Sequence, residues 1–209
     1  VHEREAFDRS VSEFQAVLGI NEVLADAGYI IALAPVNDVI EGTLQGHCRL
    51  FDEHVVDGMI VLGSAPEAVV EHLEEHMLNV VWAGTNVWQH VRCVRRDEFH
   101  AGRVTAEQAI HRGYRRLAWV TYPRQMPEPG IQLLTHYSRT DRLNGIQSVA
   151  EDRGIELIDT ADGIDDDAER VFTDIGPHTA ILTGNLRWAS RITEHANARG
   201  LIPGRDFGL

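Results

Sequence analysis

His72 and His76 sit four residues apart in the string HLEEH, a spacing that on a helix can direct two imidazoles at one metal ion. The same stretch carries Val69, Val70, Leu73 and Met77 at core-facing intervals, and no third-ligand motif follows. It therefore reads as the solvated flank of an ordinary helix, and no metal or other cofactor is expected. The chain has neither a G-x-S-x-G elbow nor a phosphate-cradling glycine loop, so an enzyme is not expected. Asp165, Asp166 and Asp167 read as an acidic helix start that favours the helix dipole before any catalytic role. What remains is binding chemistry. Recognition of a polyol needs planar, bidentate hydrogen-bonding side chains and an apolar face to stack on. Asn37, Asp38 and Ser64 follow strand-like runs, where such side chains would be presented. Trp82, Trp88 and Trp188 read as core or interface rather than as stacking platforms.

Positioning such groups requires a scaffold, and the dominant pattern is short apolar runs alternating with amphipathic stretches of helical period. The spacing predicts helices over residues 10–27, 40–53, 66–77, 98–112, 138–152, 165–174 and 185–198. Strands are predicted over 29–34, 55–62, 80–83, 116–121, 155–158 and 179–183, with 206–209 opening another and a hairpin-like excursion at 91–94. Strands apolar on both faces and joined by helices imply an α/β fold with parallel, doubly wound sheets. The long aperiodic stretch 122–137, with Pro123, Pro127, Pro129 and Gly130, reads as a loop at the mouth of a cleft. Two half-sized units broken near Gly113 predict two lobes, residues 1–113 and 114–209. The chain opens with barely a strand and stops inside an apolar run, which predicts that it is part of a longer polypeptide.

Composition narrows the class. Of the 209 residues, 32 are acidic and 19 basic, a net charge of −13 that repels phosphate backbones and argues against DNA or RNA binding by these residues themselves. All the basic residues are Arg, a pattern of a GC-rich genome rather than a chemical demand. Two cysteines, Cys48 and Cys93, are too few for a disulfide scaffold and point to a reducing compartment. No apolar run approaches the roughly 20 residues that span a bilayer, and no signal-peptide pattern follows Val1.

Several strings together resemble LacI/GalR-type bacterial transcription regulators. HRGYRRLAWV at 111–120 is similar to the family's "GHRRIAFI" segment, and VVDGMIVL at 55–62 to its "vDGiIl" strand. VRRD at 94–97 with Gly102 corresponds to "V-x-x-D…G", and SRTDRLNG at 138–145 to "S-x-x-x-R-x-x-G". TAILTGN at 179–185 and GLIPGRD at 200–206 complete the order. The resemblance implies a periplasmic-binding-protein-like effector domain: two α/β lobes, a small effector between them, a sugar or sugar derivative by family habit, and a cytoplasmic homodimer. It also implies that operator DNA is gripped by a helix-turn-helix headpiece absent from these residues, and that the family's last segment is missing after Leu209. A solute-binding protein of a sugar transporter has the same fold and is the alternative.

The resemblance further implies site residues. Asp97 matches the carboxylate that accepts ligand hydroxyls, although an aspartate there also suits a helix N-cap. Arg142 matches the arginine that presents its fork to the cleft, with a surface ion pair to Asp141 or Glu151 as the alternative. Asn185 matches an amide that donates and accepts at once, and it could equally cap the next helix. The acidic residue usual after this Asn is Leu186 here, which departs from a typical sugar-binding geometry. Phe7 and Asp8, with Arg9 and Ser10, occupy a turn where the family contacts ligand; Phe7 could stack on a sugar or staple the first helix. Asn37, chosen for its place at a strand's carboxyl end rather than by the resemblance, is added to the ligand set.

Overall fold

The computed structural model describes residues 11–33, 56–63, 65, 67–76, 79–88, 91–120, 136–160, 164–173, 175–184 and 186–209. In chain order the elements are α1 (Val11–Asp26), β1 (Met59–Leu62), α2 (Glu67–His76), β2 (Val80–Ala83), β3 (Cys93–Val94) and α3 (Glu98–His111). There follow β4 (Arg116–Val120), α4 (Tyr137–Arg153), β5 (Glu156–Asp159), α5 (Ile164–Phe172), β6 (Thr179–Thr183) and α6 (Leu186–Ala198).

All the strand pairs are parallel. One sheet runs β1-β2-β3 and the other β5-β4-β6, so in the second the chain starts at the centre and adds strands on either side. That is the doubly wound order, and it buries both faces of the sheet. Side chains alternate across it accordingly. Leu117 and Trp119 of β4, with Ala180 and Leu182 of β6, pack against Ala106, Ala109, Ile146 and Val149 of α3 and α4. Ala118, Val120 and Ile181 face the opposite way, onto Val171, Phe172, Trp188 and Ile192 of α5 and α6. A third cluster joins Val61, Val69, Leu73, Val80 and Trp82 under the first sheet. The predicted α/β architecture with parallel strands joined by helices is present.

The residue pattern also accounts for the ends of elements. Gly154 closes α4 in the left-handed conformation, at φ 62°, which costs glycine least. Gly208 exchanges backbone hydrogen bonds with Thr179 and Ile181 beside β6, so the apolar run at 206–209 does open a further strand position. Next to it Arg205 donates to Asp206 and, together with the Ile202 amide, holds that carboxyl below the ordinary aspartate value.

Two expectations are corrected. Residues 29–33 do not form the predicted buried strand: no ladder forms there among the described residues, and Ile30 is 97% exposed. Apolar run length alone had suggested the strand, but burial depends on a partner surface. The excursion at 91–94 is not hairpin-like. Arg92 at φ 68° turns the chain so that Cys93 and Val94 pair parallel to Trp82 and Ala83. The predicted helix 40–53 and most of the loop 122–137 lie outside the described residues.

The break expected near Gly113 falls between α3 and β4. The buried side of α3 packs on β4, β6 and α4, with the second sheet rather than the first.

Candidate functional site

Three element ends converge at the carboxyl side of the strands: the starts of α3 and α4 and the end of β6. They meet there because two glycines let the helices touch. A Cβ on Gly102 would lie 2.2 Å from the Arg142 carbonyl oxygen, and one on Gly145 would lie 2.1 Å from the Phe99 carbonyl oxygen. Any larger residue at either position would drive α3 and α4 apart.

Asp97 is the N-cap of α3, its Oδ1 accepting the His100 amide at 2.8 Å. The capping alternative is therefore realised, and Asp97 also lines a cavity of about 380 Å³ with Trp88, Arg95, Arg96, Tyr137 and Asp141. Capping uses one carboxylate oxygen and is compatible with a hydroxyl on the other.

Arg142 forms neither of the surface ion pairs considered for it. Its Nε donates to Oε2 of Glu98, and its Nη1 donates to the Gly184 carbonyl at 2.6 Å. The reason is burial: Glu98 is 2% exposed, and a carboxylate withdrawn from water requires a cation at hand. Arg96 supplies a second one, its Nε 3.0 Å from Oε1. Arg142 thus ties α4 to α3 and to the end of β6, one residue before Asn185. Asp97 faces the cavity and Arg142 stands beside it rather than in its lining. Phe7, Asp8, Asn37 and Asn185 lie outside the described residues, as do Arg9, Ser10, Asp38, Ser64 and Cys48.

Four contributors were missed from sequence. Arg95 lies between two aromatic rings, its guanidinium carbon 4.7 Å from the Trp88 ring centroid and 4.3 Å from that of Tyr137. Its Nη2 donates to the Asn86 carbonyl at 3.1 Å. Asn86 in turn clamps the end of β1 to the end of β2 through two hydrogen bonds with the Ala65 backbone, at 2.9 and 3.2 Å. Trp88, expected in the core or an interface, is 58% exposed at the cavity, whereas Trp82 and Trp188 are buried as expected. His136 caps α4: its Nδ1 accepts from the Ser138 amide, so Nε2 carries the proton and donates to the Gly84 carbonyl at 2.6 Å. Tyr137 accepts the Arg96 amide on its hydroxyl at 3.2 Å. His136 and Tyr137 therefore join the loop after β2 and the approach to α3 to the first turn of α4. A tryptophan seven residues before an arginine is no motif; only the parallel pairing of β3 brings Trp88 and Arg95 together.

Among the described residues no three His, Cys, Asp or Glu side chains gather as a metal site would require, and no helix is long and apolar enough to cross a membrane. The lining of the cavity offers carboxylates, guanidinium groups and aromatic faces, groups that can hydrogen-bond to and stack on a small polar molecule.

Comparison with known proteins gives the class. The family model for periplasmic binding proteins and the sugar-binding domain of the LacI family matches residues 9–127, and the chain belongs to this family. A probable maltose operon transcriptional repressor from Staphylococcus aureus superposes with a TM-score of 0.68 at 17% identity, covering 91% of this chain and 68% of that one. A periplasmic binding protein/LacI transcriptional regulator from Alkaliphilus metalliredigens, complexed with D-xylulofuranose, gives 0.65 at 15% identity, covering 92% and 70%. The transcription regulator CcpA of Lactococcus lactis gives 0.65 at 17% identity, covering 91% and 69%. No curated protein matches by sequence. Family and fold neighbours are transcription regulators and sugar-binding domains, not enzymes.

Proposed function

We propose that this chain is the effector-binding core of a LacI-type transcription regulator, taking a small sugar or sugar derivative at the Asp97 cavity and passing its occupancy to a DNA-binding headpiece outside these residues. The observation that carries the reading is the cavity itself, in which one carboxylate that caps α3 meets aromatic rings and an arginine at the carboxyl ends of two parallel sheets. The complex of the Alkaliphilus neighbour with D-xylulofuranose supports sugar chemistry for the family's cleft. The division into two lobes belongs to the same reading. The packing of α3 on the second sheet supports, within this reading, a crossing between lobes ahead of α3 rather than near Gly113.

In this reading Asp97 accepts ligand hydroxyls, while Arg142 holds the turn leading to Asn185 in register. Phe7, Asp8, Asn37 and Asn185 complete the contacts. Ligand contacts made from both lobes favour the closed arrangement, and a homodimer in the cytoplasm converts closure into a changed headpiece spacing on the operator. The coupling requires that ligand affinity differ between the DNA-bound and free forms.

A thermal-shift screen of monosaccharides and their derivatives on the intact protein tests the reading. A cleft ligand at 100 times its dissociation constant adds about 2.7 kcal/mol of stability, a shift of several degrees. A full panel of sugars and sugar derivatives without a single stabiliser would contradict it.

A further inference from the structure

We propose that Arg95 sets the chemical class of the effector: a sugar carrying one anionic group, carboxylate or phosphate, rather than a neutral sugar. The inference rests on the reading of the cavity as an effector site and adds the charge of what it takes. Four charged side chains line the cavity, and their roles differ. Arg96 has Glu98 as its partner, and Asp97 accepts a helix amide. Asp141 stands in the first turns of α4 and, like the second oxygen of Asp97, suits a hydroxyl.

Arg95 is the exception. No carboxylate pairs with it among the described residues, and its Nε is buried without a hydrogen-bond partner. The rings of Trp88 and Tyr137 attract its charge, but they accept no hydrogen bond in its plane. The Asn86 carbonyl engages only Nη2. Nε is closed off from any ligand, but Nη1 has no protein acceptor among the described residues, so the outer edge of the guanidinium, Nη1 with the remaining Nη2 hydrogen, can offer two parallel bonds to a carboxylate or phosphate. A single hydroxyl cannot take the two parallel bonds that such an edge offers. The cavity, about 380 Å³, is within the range of small-ligand sites, so the anion can sit on Arg95 while the hydroxyls reach Asp97 and Asp141.

The test is calorimetric titration of the intact protein with D-gluconate, D-galacturonate and D-ribose 5-phosphate, each beside its neutral parent sugar. At least one anionic probe is expected to bind about tenfold or more tightly than its parent, as a charge-assisted pair requires. The carboxylate and phosphate arms separate the two sources of the anion. Arg95→Gln is expected to equalise anion and parent, and Arg95→Lys, which keeps the charge and loses the fork, to retain only part of the preference. The lysine variant keeps the test usable should the glutamine variant melt early. A neutral parent that binds as tightly as its acid, unaffected by either substitution, overturns the proposal while leaving sugar binding intact. If no acid or phosphate binds while the screen of neutral sugars yields a stabiliser, this proposal fails and the effector-site reading stands; if the full screen is also empty, both fail.

Discussion

A carboxylate that is 2% exposed, as at position 98, cannot stand alone, because an ionised group withdrawn from water costs several kcal/mol unless it is paired. Glu98 is held by Arg142 on one side and Arg96 on the other, and Arg142 carries the link on to the Gly184 carbonyl. Removing the carboxylate leaves a guanidinium, itself only 21% exposed, without its counter-ion at the junction of three elements. Glu98→Ala is therefore expected to cost about 3 kcal/mol, the low end for a broken buried pair because water reaches Arg142. Urea unfolding at neutral pH measures it, and a loss under 1 kcal/mol would place the pair among ordinary surface bridges. From sequence Glu98 was invisible as anything but a first-turn acid. A capping aspartate followed by glutamate is common at helix starts, and burial of the glutamate depends on a helix that begins about forty residues later.

The glycines at 102 and 145 belong to the next scale. Both sit in strings whose resemblance to regulator motifs suggested ligand chemistry, yet each is explained by the crossing of α3 over α4, where the backbone of one helix occupies the space a Cβ would need on the other. Gly102→Ala and Gly145→Ala should each destabilise by about 1–3 kcal/mol, the usual range for overpacking, despite alanine's better helix propensity. Thermal melts of the two variants and of Gly19→Ala in α1, where a Cβ meets nothing within 4 Å, separate packing from propensity. Equal behaviour of all three would remove the packing account.

The same scale shows what sequence could supply. Runs such as Arg116–Val120 and Thr179–Thr183, apolar at every position but the ends, specify two-faced burial on their own and were located to within a residue. The helix over 138–152 carries its own stop, Gly154. The stretch 29–33 failed because apolar residues say nothing of which surface covers them. Arg95, Trp88, His136 and Tyr137 failed for the opposite reason: their partners are tens of residues away or fixed by strand register, and no local pattern announces them.

For the whole molecule, the contacts at residues 84–97 and 136–137 join the first sheet's loops to α4, and Asp97 stands where the chain passes from one sheet to the other. On the proposed reading, a ligand there would touch both parts at once, which is the physical requirement for occupancy to bias their arrangement. The acidic balance of the chain, −13 overall, disfavours contact between these residues and a phosphate backbone. The central claim is that Asp97 binds ligand besides capping its helix. Asparagine caps a helix about as well as aspartate but removes the charge that accepts hydroxyls. Calorimetric titration of Asp97→Asn with the best stabiliser from the sugar screen isolates the binding role. We expect an unchanged melting temperature for the ligand-free variant and affinity weakened about tenfold or more; wild-type affinity in a variant that folds normally would contradict the account.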